Sequence, residues 1–280
     1  MKTKLVLILI VCLGIIACSQ GPETPSSSHR DALSGKLTIT GSSTVAPLIA
    51  EMAKAFERLH PDVRIDVQTG GSSRGIADVN KGLADIGMIS RALKPNEHSF
   101  TPHTIARDGI GIIIHRDNPL NTITSQQVKA IYLGETQNWQ SVNGINAPIT
   151  VINKAEGRST LELFLTHFAL QNSKINASII IGDNEQGVKT IIGNPQAIGY
   201  VSIGTAEYNI QQGAPIKLLS LDDHRASSHN VASGNYPLSR TLNLIVSANA
   251  KANALTEAFI NYAQSPEVNS ITQELNFVPL

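Results

Sequence analysis

Gly41-Ser42-Ser43-Thr44-Val45-Ala46-Pro47 is a small, hydroxyl-rich turn set between an apolar stretch, Leu37 to Thr40, and a run with helical spacing, Leu48, Ile49, Met52, Ala53, Phe56 and Leu59. Gly70-Gly71-Ser72-Ser73-Arg74-Gly75 is the next turn of this kind, again where a strand gives way to a helix. Glycine lets backbone amides come close to a ligand, and hydroxyls donate hydrogen bonds. The free N–H groups of a helix's first turn add partial positive charge, so both turns suit a small oxyanion. Two of them in one chain predict a clamp.

Working outward, the pattern alternates short apolar strands with helical periodicity. His60-Pro61 ends the first helix, and Val63 to Val67 alternates as a strand, which makes a βαβ unit. Ile76, Val79 and Leu83 follow at helical spacing, then Asp85 to Ile89 and Ile110 to Ile114 read as strands of a parallel or mixed sheet covered on both faces. Arg116-Asp117-Asn118-Pro119-Leu120 turns the chain into a second βα series. It opens with a helix around Val128, Ile131 and Tyr132 and has strands at Ile149 to Ile152, Ser178 to Ile181 and Ile198 to Ser202. Helices around Leu161 to Phe168 and Gly187 to Ile192 separate them, and Trp139 is expected in their core. Beyond the polar stretch Asp222 to Asn235 come a buried strand, Leu242 to Val246, and helices carrying Leu255, Phe259 and Tyr262, then Val268, Ile271 and Leu275.

The N-terminus reads as an export signal. Lys2 and Lys4 precede the apolar run Leu5 to Ile16, and Ile15-Ile16-Ala17-Cys18 resembles a bacterial lipobox, so residues 1–17 are expected to leave and Cys18 to be acylated. Cys12 would leave with the signal, which precludes an intramolecular disulfide. Residues 18–35, with Pro22, Pro25 and Ser26-Ser27-Ser28, read as a flexible tether. The remaining chain fits two modest domains, carries a net charge of about −2 once Lys2 and Lys4 are gone, and has no Lys/Arg run that would mark nucleic-acid binding.

Two more turns join the first pair. Lys154-Ala155-Glu156-Gly157-Arg158-Ser159-Thr160 lies between a strand and a helix, and Ile89-Ser90-Arg91 ends a strand. Any one of them could be only a helix cap. Together, at strand ends, they mark the place where open α/β sheets bind ligands. Aromatic residues make up only 4% of the chain, which favours an inorganic anion over a sugar or base. Gly71-Ser72-Ser73-Arg74-Gly75 also fits the Gly-x-Ser-x-Gly elbow of a hydrolase, with Ser73 as nucleophile and Asp222, Asp223, His224 and His229 as available partners, so a Ser-dependent hydrolase is the rival reading. No histidine pair has metal-ligand spacing, and neither a metal nor a cofactor is expected.

Thr40-Gly41-Ser42-Ser43-Thr44, Gly71-Ser72-Ser73, Ala84-Asp85-Ile86-Gly87 leading to Ser90-Arg91, Leu133-Gly134 with Asn138-Trp139, Ala197-Ile198-Gly199-Tyr200 and Tyr236-Pro237-Leu238-Ser239-Arg240 occur in a characteristic order. In this the chain resembles the phosphate-binding proteins of bacterial phosphate ABC transporters, the PstS family, from about Leu37 to Leu280. The resemblance implies an α/β fold of the two-lobed type II periplasmic binding protein kind, with a ligand cleft between lobes. Lobe I is expected at 36–116 plus 226–280 and lobe II at 117–225. It implies a non-enzymatic, exported, lipid-anchored, monomeric protein that takes inorganic phosphate to an ABC permease. The ligand residues it implies are Ser43, Thr44, Val45, Ser72, Ser73, Ser90, Arg91, Gly157, Arg158, Ser159 and Thr160.

The chain departs from better-known members of that family in two places. They carry Asp where it has Ser90, and Arg-x-x-Gly-Ser-Gly-Thr where it has Lys154 to Thr160, which puts Lys154 in the arginine's place and Arg158 in the serine's. Either Arg158 supplies the planar fork that matches two oxyanion oxygens, or the ligand is another tetrahedral oxyanion such as arsenate, tungstate or molybdate. Ser90 lacks a carboxylate's repulsion of fully deprotonated anions, so sulfate should be rejected less strictly, unless Glu156 supplies the missing acceptor.

Overall fold

A computed structural model describes residues 33–249 and 253–280, so the expected signal peptide, Cys18 and nearly all of the tether lie outside the described residues. The chain runs β1 (Gly35–Gly41), α1 (Ala46–Leu59), β2 (Val63–Thr69), α2 (Ser72–Asn80), β3 (Ile86–Ile89) and the long β4 (Phe100–His115). It continues through β5 (Thr122–Ile123), α3 (Ser125–Tyr132), β6 (Thr150–Lys154), α4 (Ser159–His167), β7 (Ile179–Ile181), α5 (Asn184–Gly193) and β8 (Ala197–Ser202). The last elements are α6 (Ile203–Gln211), β9 (Ile216–Leu218), β10 (Ser220–Leu221), α7 (Ser228–Ala232), β11 (Ser239–Ser247), α8 (Ala254–Ala263) and α9 (Asn269–Glu274).

The sheet is mixed, in the order β2-β1-β3-β11-β4-β8-β6-β7, with β9 also on β4. Strand β1 is parallel to β2 and β3, whereas β11 runs antiparallel to both β3 and β4. The first part of β4 pairs with β11, and its last part, from Ile110 on, pairs with β8 and β9. One strand therefore serves both halves of the molecule.

Each half has its own apolar core, which is what makes the fold two-lobed. Leu37, Ile39, Met52, Phe56, Ile86, Ala106, Leu242 and Phe259 fill one; Ile110, Tyr132, Trp139, Phe164, Tyr200 and Leu238 fill the other. The cores change over between Ala106 and Ile110 on β4 and between Leu238 and Leu242 at the start of β11. Ala226, Val231, Tyr236 and Leu238, expected with the first lobe, pack in the second core. Tyr236 is tied there by its hydroxyl, which donates to the Ile110 carbonyl at 2.8 Å.

Local expectations mostly hold, with physical reasons where they fail. In α1 the residues Leu48, Ile49, Met52, Ala53 and Phe56 are buried, but Leu59 at the fraying last turn is 60% exposed. Helix α2 stops at Asn80, and Gly82 takes φ +67°, so Leu83 leaves the helical face and is 64% exposed. Trp139 is fully buried, and its Nε1 donates to the Gln196 carbonyl at 2.9 Å. Helix α7 forms within the polar stretch because Ser227 caps it, its hydroxyl accepting from the Asn230 amide.

Candidate anion-binding site

The turns predicted from sequence meet at one place. Gly41 ends β1 with φ +136°, and a Cβ there would lie 2.3 Å from the Met88 carbonyl oxygen, so only glycine lets β1 close on β3. The amides of Gly70 and Gly71 both donate to the Gly41 carbonyl at 2.9 Å, which fixes the second turn against the first. Gly71 has φ +95°, and a Cβ on it would meet the Gly157 carbonyl at 2.6 Å and the Arg158 Cδ at 2.8 Å. The third turn therefore lies directly on the second, and the Ser73 amide donates to the Gly157 carbonyl at 3.2 Å.

Inside this junction the hydroxyls are buried and joined to one another. Ser42 donates to the Ser90 hydroxyl at 3.0 Å and accepts from the Thr44 amide at 3.2 Å; the Ser72 hydroxyl accepts from the Ser90 amide at 3.2 Å. At the centre is Arg240 of β11. Its Nη1 donates to Thr160 Oγ1 at 2.9 Å and to Ser90 Oγ at 3.3 Å, and its Nη2 donates to Thr44 Oγ1 at 3.2 Å. Nε and Nη2 also donate to Asp108 Oδ2 at 3.1 and 2.8 Å, while Asp108 Oδ1 accepts from the Gly204 amide. Thr44 Oγ1 accepts a further hydrogen bond, at 3.0 Å, from Nδ2 of buried Asn184 on α5.

The helices that start here are uncapped. The positions before α1, α2 and α4 are Val45, Gly71 and Arg158, and none makes a side-chain cap bond. By contrast α3, α5, α6, α7 and α8 are each capped by a side chain, from Thr124, Asp183, Ser202, Ser227 and Asn253. An uncapped start leaves amides for an acceptor from outside the helix, although those of Ala46 and Ser73 already donate to the Ser42 and Gly157 carbonyls.

Positive charge exceeds negative charge at the junction. Arg240 is matched by Asp108, but Lys154 and Arg158 have no carboxylate within ion-pair distance among the described residues. Lys154 is buried at 3% exposure, and its Nζ donates to the Asp183 carbonyl at 3.1 Å. Burial first, then the charges of Arg240 and Arg158, bring its pKa down to about 7 against the pull of Asp183. Arg158 lays its stem over Gly71 and brings its guanidinium near Gly182, and its buried Nε has no hydrogen-bond partner. Ser159 Oγ is likewise buried without a partner.

Of the residues singled out from sequence, Thr44, Ser72, Ser90, Gly157, Arg158, Ser159 and Thr160 are at the junction. The amide of Val45, one of the implied ligand residues, donates to the Ser42 carbonyl at 3.2 Å. Ser43 is half-buried and lines a groove of about 340 Å³ beside Asp183 and Asn184. Ser73 joins through its backbone, its side chain being in an exposed position. Arg91 points elsewhere: Nη1 and Nη2 grip the Glu97 carboxylate at 2.7 and 2.8 Å, and Nε is 3.1 Å from Glu162. Glu156 is exposed and accepts from Asn172. His224 Nδ1 contacts the Asn235 carbonyl, and Asp222 accepts from Ser125, so neither bonds Ser73. Arg240, Asp108 and Asn184 were missed. The signal was there for two of them, since Asp108 and Arg240 are charges placed beside the buried runs Ile110 to Ile114 and Leu242 to Val246.

Residues 26–267 match the model of the PBP superfamily domain. The phosphate-binding protein PstS of Bacillus subtilis is 29% identical over 293 residues, spanning 100% of this chain and 95% of that protein. PstS of Pseudomonas aeruginosa is 26% identical over the same shares of each chain. A Clostridium perfringens structure described as a phosphate ABC transporter substrate-binding protein with bound phosphate superposes with a TM-score of 0.81 at 29% identity, covering 88% of this chain and 100% of that one. An ABC-type phosphate transport receptor from Vibrio cholerae gives 0.68 at 26% identity, with the same coverage. The resemblance read from the turns thus holds along the whole folded chain, which belongs to the PBP superfamily domain family and has the phosphate-binding PstS proteins among its relatives.

Proposed function

We propose that this protein captures inorganic phosphate between its two lobes and delivers it to an ABC permease. The observation that carries the reading is the junction itself. Buried hydroxyls from the turns after β1 and β3 and from the start of α4 accept from Arg240, three uncapped helices start there, and the cations outnumber the buried carboxylates. A small multivalent oxyanion supplies the missing acceptors and the missing negative charge together. The relatives named above support phosphate as that oxyanion.

In this reading the ligand residues are Thr44, Ser72, Ser90, Arg158, Ser159 and Thr160, with Arg240 at the centre and Ser43, Val45, Ser73 and Gly157 shaping the turns. The lobes divide within β4 and at the start of β11, and they close by bringing Gly157 onto Ser73 and Thr160 onto Arg240. Calorimetry of anion-stripped protein against phosphate, sulfate, molybdate and tungstate tests it. Tight one-to-one phosphate binding is expected, and no heat with phosphate rejects the reading.

The export signal, lipid on Cys18 and the tether complete the proposal as an extracytoplasmic, membrane-anchored, monomeric receptor. Cys18→Ser should release the protein from membranes, and unchanged membrane association would reject the anchor.

A further inference from the structure

We infer that Lys154 takes up a proton from solvent when the anion binds, so that capture of a dianion is coupled to protonation of this one buried amine. The inference rests on the oxyanion reading of the same junction and adds a specific chemical event to it.

Lys154 is placed as a cation in waiting. Its side chain is buried at the end of β6, and Nζ has a single hydrogen bond, to the Asp183 carbonyl, although an ammonium has three to give. The groups facing it come from every neighbouring element. Arg240 of β11 and Arg158 at the start of α4 repel its charge, and Asp183 before α5 attracts it. Tyr200 of β8 is neutral, its hydroxyl held between the Lys154 amide and Asn153 Oδ1, and its pKa is raised by burial. Asp108, a buried carboxylate of the junction, is already satisfied by Arg240 and the Gly204 amide.

Without an anion, a charged Lys154 would be a third cation in a desolvated site whose buried carboxylate, Asp108, is committed to Arg240, with only the partly exposed Asp183 to offset it, and such a group sheds its proton instead. Burial and the two guanidiniums accordingly hold it near 7, where its charge changes close to neutrality. A bound dianion reverses the balance, because it neutralises Arg158 and offers Lys154 a counter-charge in a medium where Coulomb energies are large. The proton comes from the buffer and ends on Nζ; no covalent bond changes. Arginine at this position would stay charged throughout and give no such coupling.

The test is phosphate calorimetry at about pH 8.5, where phosphate is already dianionic, in two buffers of different ionisation enthalpy. Wild type should take up nearly one proton per phosphate bound, and its affinity should fall nearly tenfold per pH unit between about pH 8 and 9. In Lys154→Arg both the uptake and the slope should vanish. Phosphate binding by wild type without proton uptake overturns the inference and leaves the phosphate reading intact. No phosphate binding by wild type overturns both. The wild-type measurement decides the matter even if the variant folds poorly.

Discussion

Arg240 and Asp108 are register partners in the antiparallel pair β11 and β4, and their side chains, each 1% exposed, meet at 2.8 Å. The pair sits where the two cores change over, and Asp108 also receives the amide of Gly204 at the start of α6. A charge desolvated this fully is tolerable only while its partner is present. Asp108→Ala should therefore cost about 3 to 5 kcal/mol of stability by leaving the guanidinium buried and uncompensated. Denaturant midpoints of wild type and variant measure this; a loss below about 1 kcal/mol would show that an anion or water balances Arg240 instead.

Hydroxyl donors should carry much of the affinity. Thr44→Ala and Ser72→Ala are each expected to weaken phosphate binding by about 1 to 3 kcal/mol, the range for a hydrogen bond to a charged group and an unsatisfied partner. Wild-type affinity in both variants would remove these residues from the site.

Weak rejection of sulfate is expected because, among the described residues, no free carboxylate faces the junction. Ser90 Oγ accepts from Ser42 and Arg240, both Asp108 oxygens are occupied, and Glu156 is exposed on Asn172. The proton of monohydrogen phosphate thus finds no carboxylate, and sulfate meets no repulsion. Competition titrations should show sulfate displacing phosphate measurably from wild type, less so from Ser90→Asp, and equally from Glu156→Gln. Strict exclusion of sulfate by wild type contradicts this.

The turns were legible in sequence because Gly, Ser and Thr punctuate the chain locally, and the helix periodicity of α1, α3 and α8 needs no knowledge of neighbours. The contacts of Arg240 and Asn184 were not, because they are decided by the register of β11 on β4 and by the approach of α5 to Thr44. The packing of residues 226–238 was hidden for a related reason. Polar residues around Asp222 to Asn235 hide Ala226 and Val231, whose burial depends on the second core lying opposite them. The absence of Ser, Thr, Asn or Asp just before α1, α2 and α4 was visible in Val45, Gly71 and Arg158, and it separates these helices from most of the others.

Free of anion, the protein should gain stability as pH rises from near neutrality. The folded pKa of Lys154, about 7, lies below its unfolded 10.5, so between those values the unfolded chain holds the extra proton and ΔG of unfolding increases with pH. Tyr132, Tyr200 and Tyr236, raised by burial, oppose this only once unfolded tyrosine ionises at about pH 10. Thermal midpoints should accordingly climb between about pH 7 and 9 in wild type and climb less in Lys154→Met. Equal slopes would contradict it.

The most direct test of the whole account is a crystal structure of the protein grown with saturating phosphate. The account predicts one tetrahedral anion among Thr44, Ser72, Ser90 and Thr160, with Arg158 and Lys154 turned onto it and Arg240 still paired with Asp108. Phosphate bound elsewhere, or no anion at the junction at saturating phosphate, would contradict it.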